Sequence, residues 1–425
     1  MSGTLYGVGL GPGDPELVTV KAARIIATAD VVAYHSARHG RSIARSIAAP
    51  YLREGQVEEQ LVYPVTTETT DHPGGYAGAI AEFYEAAATR LMAHLEAGRD
   101  VALLAEGDPL FFSSYMHMHK RIDGRFPTEI VPGVTSVSAG AAAAATPLVE
   151  GDDVLTVLPG TLPGDELARR LRDTDAAAIM KVSRPFAGIH DALRRAGRLD
   201  DAYYVERASR GEQRIVAVAD VDPDTVPYMA IVIVPGTTAQ ARPSTPSTPS
   251  TPSTPSTPST PSTPSEAATA GRVDVVGLGP GGRDWLTPQA QAVLAAADHV
   301  VGYGPYIDRV PPNPRQQRHA SDNQVEAERA EFALDLARRG ARVAVVSSGD
   351  PGVFAMASAV LEVATEERYA DVPVGVVPGL TAAQAVAAQV GAPLGHDYAV
   401  VSLSDRLKPW DVVAGRAWEL YRRIG

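Results

Sequence analysis

The sequence predicts an α/β protein built as a tandem of two related domains, and three observations carry that expectation. A glycine-rich segment occurs twice, as Gly9-Leu10-Gly11-Pro12-Gly13 and as Gly277-Leu278-Gly279-Pro280-Gly281. Strand-like and helix-like patterns alternate after the first copy, the pattern of a largely parallel sheet covered by helices. Between the copies, Ser244 to Pro264 is seven Ser-Thr-Pro triplets. Every third residue there lacks a backbone donor and fixes its own φ, so neither helix nor central strand forms.

The repeat holds register. Thr19, Ala22, Ala29 and Asp30 recur as Thr287, Ala290, Ala297 and Asp298, at an offset of 268. Gly107-Asp108-Pro109 with Phe112 recurs as Gly349-Asp350-Pro351 with Phe354, at an offset of 242. Pro132-Gly133 with Pro147-Leu148 recurs as Pro378-Gly379 with Pro393-Leu394, at 246. The fall from 268 to 242 gives the first copy 26 extra residues between these motifs, material expected to differentiate two sites. Internal repeats of this kind set the domain organisation.

In order, the first copy reads as strand Leu5 to Leu10, helix Val18 to Ala29, strand Asp30 to Tyr34, helix Tyr76 to Ala97 and strand Val101 to Ala105. A second series of strands begins near Asp153: Val154 to Leu158, Ala178 to Val182, Ala202 to Val205 and Met229 to Val234. Residues 1–240 are therefore expected to form two lobes, about 1–150 and 151–240, with a ligand cleft between them. Residues 241–270 form the linker. As a polyproline II tether at about 3.1 Å per residue, its triplets reach roughly 65 Å, so the two units need not touch. Residues 271–425 form the second unit. Only 32 residues follow its Pro393, enough for one strand and one helix. A lone strand of that kind is expected to leave sheet edges unpaired, with Trp410 to Ile424 mobile or loosely docked.

Composition excludes several function classes. There is no cysteine, which removes disulfides, thiolate zinc sites and cysteine nucleophiles. No run of about 18 apolar residues appears, and Met1-Ser2-Gly3-Thr4 lacks a signal pattern, so a soluble, cytoplasmic protein without membrane contact is expected. A net charge of −12 disfavours nucleic acid, which needs a positive footprint. An anionic ligand requires a local arginine cluster instead.

The glycine loops invite a dinucleotide reading. Gly7-Val8-Gly9-Leu10-Gly11-Pro12 fails it, with proline where the third glycine belongs. Gly277-Leu278-Gly279-Pro280-Gly281-Gly282 satisfies the spacing, yet its helix starts only near Thr287, and the acidic Asp298 begins the next strand rather than ending it. A tight turn accounts equally well for either loop taken alone. Gly107-Asp108-Pro109 follows an apolar run and so occupies the carboxyl end of a strand, the ligand edge of an open α/β sheet. Pro132-Gly133-Val134-Thr135-Ser136 ends another strand and opens the small-residue helix Ser138 to Ala145. Arg38, Arg41 and Arg45 share one face if their segment is helical. His117 and His119, at i and i+2, splay apart on a helix with no third ligand evident, so no metal is expected.

Together Gly9 to Thr19, the Gly-Asp-Pro loop, Pro132 to Ser136, and Glu206-Arg207-Ala208 followed by Glu212-Gln213 resemble the tetrapyrrole methylases, over nearly everything but the linker. His35-Ser36-Ala37-Arg38-His39-Gly40-Arg41-Ser42-Ile43-Ala44 is similar to the precorrin-2 C(20)-methyltransferases. Val301-Gly302-Tyr303-Gly304-Pro305-Tyr306, Ser321-Asp322-Asn323 and Val401-Ser402-Leu403-Ser404-Asp405 are similar to the precorrin-3B C(17)-methyltransferases of the same cobalamin pathway. The resemblance implies tandem domains of two α/β lobes each, the second copy lacking most of its C-terminal lobe, and a homodimer. It implies S-adenosylmethionine held by Pro12, Glu106, Gly107, Asp108, Thr135, Ser136, Met180, Ala208, Tyr228 and Met229. In the second copy the equivalents are Gly349, Asp350, Pro351, Thr381 and Ala382; Gly282 replaces Asp14, and the counterparts of Met180, Ala208 and Met229 are absent.

The implied acceptor is an anionic tetrapyrrole, for which Arg38, Arg41, Arg45, Arg184, Arg207 and Arg210 are the candidate carboxylate partners. Methyl transfer from a sulfonium needs positioning and exclusion of water more than acid-base chemistry. Asp14 and His35 are the candidates to assist proton loss. Three rivals stand beside this reading: a dinucleotide-dependent oxidoreductase, a family member acting on another acceptor, and a noncatalytic second copy. The first copy is expected to be catalytically self-sufficient. The second, as it stands here, is expected not to transfer a methyl group to carbon 17.

Overall fold

A computed structural model describes residues 2–38, 40–66, 70–236, 271–322, 325–403 and 409–424. The Ser-Thr-Pro tract, residues 241–270, His39, Asn323 and Ser404-Asp405 lie outside the described residues.

The first lobe alternates strand and helix: β1 (Leu5–Gly9), α1 (Val20–Thr28), β2 (Val31–Ser36), α2 (Ile43–Ala48), β3 (Val57–Val62), α3 (Gly75–Glu96), β4 (Val101–Ala105), α4 (Tyr115–Ile122), β5 (Thr128–Val131) and α5 (Ser136–Ala143). The sheet is parallel, in the order β3-β2-β4-β1-β5. All five residues of β4 are buried, as an unbroken apolar run in a sheet covered on both faces requires. The repeated threonine has a structural reason: the Thr19 side chain caps α1 by accepting from the Ala22 N–H, and Thr287 does the same for Ala290.

The second lobe contains β6 (Leu155–Pro159), α6 (Gly164–Arg172), β7 (Ala176–Met180), α7 (Phe186–Ala196), β8 (Tyr203–Glu206), β9 (Arg214–Ala217) and β10 (Ala230–Val234) in a mixed sheet. The second unit repeats the first lobe with β11 (Arg272–Gly277), α8 (Pro288–Ala296), β12 (His299–Tyr303), α9 (Gly304–Ile307), β13 (Gln317–Ser321), α10 (Glu326–Arg338), β14 (Arg342–Ser347), α11 (Ala357–Val363), β15 (Val374–Val377) and α12 (Ala382–Val390). Its strand order is the same, β13-β12-β14-β11-β15. After it come β16 (Tyr398–Val400) and α13 (Trp410–Ile424).

The 26-residue excess falls at one edge of the first sheet. Val31 faces Val57 as His299 faces Gln317, so the offset drops from 268 to 260 across the loop that carries α2. It drops again to 242 before Ala88 and Leu95, which match the buried Ala330 and Ala337. Both insertions sit beyond the carboxyl ends of β2 and β3, where an open parallel sheet binds ligand.

The tether leaves the units free to stand apart, yet they touch about a pseudo-twofold axis. The Leu148 N–H donates to the Gly352 carbonyl at 2.9 Å, and its mate, the Leu394 N–H, donates to Leu110 at 2.8 Å. One bond lacks a mate: the Val20 N–H donates to Leu286, but the position equivalent to Val20 is Pro288, which has no N–H. One expectation is corrected: the late strand is not unpaired. β16 joins the second lobe of the first unit, antiparallel to β6, with Tyr398 opposite Val157 and Val400 opposite Leu155. It thereby covers an edge that β6 would otherwise expose. In α13, Val413 is buried while Trp410 and Trp418 are exposed.

Candidate active site

Three loops at the carboxyl edge of the first sheet meet backbone to backbone. A methyl group on Gly133 would lie 2.1 Å from the Gly107 carbonyl oxygen, and one on Gly9 would lie 2.4 Å from the Gly133 nitrogen, so no side chain fits at either position. The Gly107 N–H donates to the Gly11 carbonyl at 2.8 Å, and the Gly107 carbonyl accepts from the Gly11 N–H at 3.2 Å. Asp108 ties this knot. Only 2% exposed, its carboxylate accepts from the Leu110 N–H at 2.9 Å and the Gly133 N–H at 3.1 Å. Burial pushes its pKa up to about 6, against those hydrogen bonds.

The second lobe closes on these loops. The Ser136 hydroxyl, on the first turn of α5, lies 4.0 Å from the Met180 sulfur at the end of β7. The Asp14 N–H donates to the Ser209 hydroxyl at 3.2 Å, and the Arg210 stem lies on Gly13, with its guanidinium 3.5 Å from the Met229 sulfur. Burial raises Glu106 to about 7, with Arg210 pulling the other way. Pro12, Glu106, Gly107, Ser136, Met180, Ala208 and Met229 are therefore brought together where the two lobes meet, while Thr135 caps α5 by accepting from the Ser138 N–H. Tyr228 stands at the rim, 84% exposed. Phe112, Lys181, Arg207 and Ser209 all have positive φ, and each borders this junction; strain of this kind gathers at binding sites.

The other candidates separate. Asp14 caps the short helix Pro15–Leu17, accepting from the Glu16 N–H at 2.9 Å. His35, at the end of β2, stacks on Tyr63 with centroids 5.3 Å apart, and its enclosed Nε2 has no hydrogen-bond partner among the described residues. Burial, aided by His117, lowers its pKa to about 4, so the ring is neutral. The arginine stripe is corrected. Only residues from Ile43 onward are helical, so Arg38 and Arg41 precede α2. Arg45 instead makes a bidentate pair with Glu58, at 2.9 and 3.0 Å. Arg184 is exposed after β7, and Arg207 lies 3.6 Å from Glu206. His117 stacks on Tyr84 and His119 on Tyr115.

Sequence reasoning missed Lys181. It is exposed, makes no ion pair among the described residues, and holds its ammonium 5.2 Å from the centre of the Phe112 ring across the cleft. A charged residue directly after the Met180 strand was the available signal.

The second unit repeats the knot. Asp350 accepts from Gly352 and Gly379 at 2.9 and 3.1 Å, and burial raises it to about 6. Gly349 has φ 70°, Pro351 is buried, and Thr381 forms a capping box with Gln384. Ala382, the counterpart of Ser136, is exposed. Arg309 donates into the glycine loop itself, reaching the carbonyls of Leu278 and Gly279.

A duplicated parallel lobe whose glycine loops are knotted by a buried aspartate, facing a mixed-sheet lobe, is the architecture of one class of methyltransferase. The chain belongs to the Tetrapyrrole (Corrin/Porphyrin) Methylases, whose sequence profile matches residues 4–221 and again 272–421. In particular, it is 60% identical over 414 residues to the cobalamin biosynthesis protein CobIJ of Mycobacterium tuberculosis, covering 97% of this chain and 76% of that one. A precorrin-2 C(20)-methyltransferase of Sinorhizobium sp is 52% identical over 235 residues, 55% of this chain and 96% of the relative. A precorrin-3B C(17)-methyltransferase of the same genus is 49% identical over 148 residues, 34% of this chain and 58% of the relative. No helix among the described residues is long and apolar enough to cross a membrane.

Proposed function

We propose that the first unit transfers a methyl group from S-adenosylmethionine to carbon 20 of precorrin-2 or its cobalt-containing counterpart. The convergence of Glu106, Ser136, Met180, Ala208 and Met229 where the two lobes meet carries this reading. The site suits the cofactor: Gly107, at positive φ with nothing within 4 Å of where a Cβ would stand, leaves its backbone open to a ligand, and Glu106, its pKa raised by burial to about 7, is the carboxylate a bound cation would ionise. When bound, the cofactor supplies an already activated methyl group. What remains for the chain is to hold a nucleophilic ring carbon in line at about 3 to 3.5 Å and to keep water out.

His35 is the better of the two candidates for the proton that leaves the methylated carbon. It is neutral, and its Nε2 is uncommitted among the described residues, whereas one Asp14 oxygen is engaged in capping. Lys181 joins Arg38, Arg184, Arg207 and Arg210 as cations for the acceptor's carboxylates. The second unit, over its described residues, offers Gly349, Asp350, Pro351, Thr381 and Ala382 with no facing lobe, so carbon-17 transfer is not assigned to residues 271–425 by themselves. Incubating the full chain with precorrin-2 and methyl-labelled cofactor tests the reading: one added methyl at carbon 20 is expected. Cofactor binding without transfer to either tetrapyrrole would point to another acceptor.

A further inference from the structure

The second unit reaches into the cofactor knot of the first. Gln384, the third residue of α12, is 4% exposed. Its amide oxygen accepts from the Thr381 N–H at 3.0 Å and the Thr381 hydroxyl at 2.9 Å. Its amide nitrogen donates across the interface to the Gly133 carbonyl at 2.8 Å, on the same residue whose N–H is held by Asp108. The pseudo-symmetric residue is Ser138, the third residue of α5, whose N–H donates to the Thr135 hydroxyl as that of Gln384 does to Thr381. Around Gln384, Leu394 packs into two cores of the first unit and Tyr398 lies edge-on to Phe111, 6.2 Å between centroids.

We propose that Gln384 is a positioning residue for the first unit's cofactor site, so that the second unit sets the geometry of a cleft it does not line. The inference rests on the S-adenosylmethionine reading of the Asp108 loop. Gly107, Asp108 and Gly133 are fixed among themselves by hydrogen bonds, but Gly133 is the only one of the three whose carbonyl takes a donor from the other unit among the described residues. A buried amide fully engaged at both ends has a single low-energy placement, because leaving any of its partners unpaired is costly. It therefore transmits the position of α12 to the loop on which the cofactor is expected to rest.

The test uses the full chain. Gln384→Leu removes the donor while keeping the volume, and is expected to raise the KM for S-adenosylmethionine roughly tenfold, the effect of about one buried hydrogen bond. The tetrapyrrole KM, and kcat at saturating cofactor, should hold. Gln384→Met, as long as the native side chain but without its donor, should weaken cofactor binding to the same extent. A cofactor KM unchanged in both variants overturns the proposal. So does a fall in kcat at saturating cofactor with the cofactor KM unmoved, which marks a merely structural contact. Should Gln384→Leu not fold, Gln384→Asn, with its amide one methylene shorter, carries the same test, an unchanged KM again being fatal. Calorimetry with S-adenosylhomocysteine reads cofactor affinity without an acceptor. A wild-type chain that binds it without methylating precorrin-2 therefore counts against the functional reading and leaves the bridge standing or falling on its own titration.

Discussion

The two units share one knot and differ in everything that faces it. In both, a buried aspartate accepts two backbone N–H groups and draws a strand-end loop against a glycine with no room for a side chain. In the first unit that knot looks onto a second lobe, with Met180, Arg210 and Met229 within reach. In the second, Arg309 fills in beside the glycine loop and Ala382 faces solvent. The Gly-Asp-Pro motif therefore specifies a turn, and among the described residues only the first unit's turn has a second lobe opposite it. The first unit's insertions sharpen the contrast, since they place α2 and the aromatic residues Tyr63, Phe83 and Tyr84 at the edge where its acceptor is expected.

The harshest way to break the comparison is to separate the units. Removing residues 241–425 strips β16 from β6, Leu394 from two cores and Gln384 from Gly133. These contacts set the expectation of a self-sufficient first copy against a measurable cost of losing its neighbour. Residues 1–240 alone are expected to lose most methyl transfer and to unfold at least 10 °C below the full chain, an estimate consistent with losing several buried contacts in a mid-sized domain. Fragment activity equal to that of the full chain, with an unchanged melting temperature, would show the interface to be passive.

Next in size is the pair Asp108→Asn and Asp350→Asn. Both leave a donor facing a donor, so each should destabilise by about 1 to 3 kcal/mol. Only Asp108→Asn should also cost a hundredfold or more in kcat/KM. Their pH dependence has a defined sign. Each carboxyl has a folded pKa near 6, above its ordinary 3.8. The folded state therefore holds the proton more tightly, and the resulting stability is present below about pH 4 and lost as pH rises through 6. His35, lowered from 6.5 to about 4, works in the opposite sense: its contribution is present above 6.5 and lost as pH falls through 4. Asp350→Asn should thus flatten the wild-type decline between pH 4 and 6, by on the order of 2 to 3 kcal/mol in denaturant titrations. Identical slopes would remove the buried-carboxylate account.

Why the knot was legible and the interface was not follows from what each is made of. Gly9, Gly107, Asp108 and Gly133 act through backbone geometry, which only certain residue types permit, so the sequence advertises them. β4 and the threonine caps are legible for the same reason. β3, with Glu58, Glu59 and Gln60 at its centre, is an edge strand whose charges hide its pattern. The docking of β16 depends on a surface contributed by residues more than two hundred positions away, and nothing local marks Tyr398–Val400 as the partner of β6. Arg45 looked available because its partner, Glu58, lies on a strand that was not recognised. Lys181 is marked in the sequence only by its charge after the Met180 strand, and the left-handed backbone that holds it over Phe112 leaves no trace there.

Arg45 and Lys181 yield a smaller, cleaner contrast. Lys181→Met should raise the tetrapyrrole KM about tenfold with the cofactor KM intact, since one exposed cation paired with an acceptor carboxylate is worth on the order of 1 kcal/mol. Arg45→Met should move neither constant by more than about twofold, because its guanidinium is already committed to Glu58. Steady-state kinetics on both variants decide the matter, and a reversal would restore the helical arginine stripe as the acceptor's binding face.

The smallest effect concerns the rim of the same interface that Gln384 spans at its centre. Arg24 on α1 reaches Asp284 of the second unit with two hydrogen bonds, at 2.8 and 3.0 Å, and on geometry alone it is the better bond. Its side chains, however, are 54% and 46% exposed, so water and salt already satisfy both charges when the pair is broken, and holding two long side chains in one place costs entropy. Gln384 makes fewer formal charges meet but leaves buried groups unpaired when removed. Arg24→Ala is therefore expected to shift the melting temperature by no more than about 1 °C and to leave the cofactor KM unchanged. A loss approaching that of Gln384→Leu would mean that the rim, rather than the buried amide, fixes how the two units sit together.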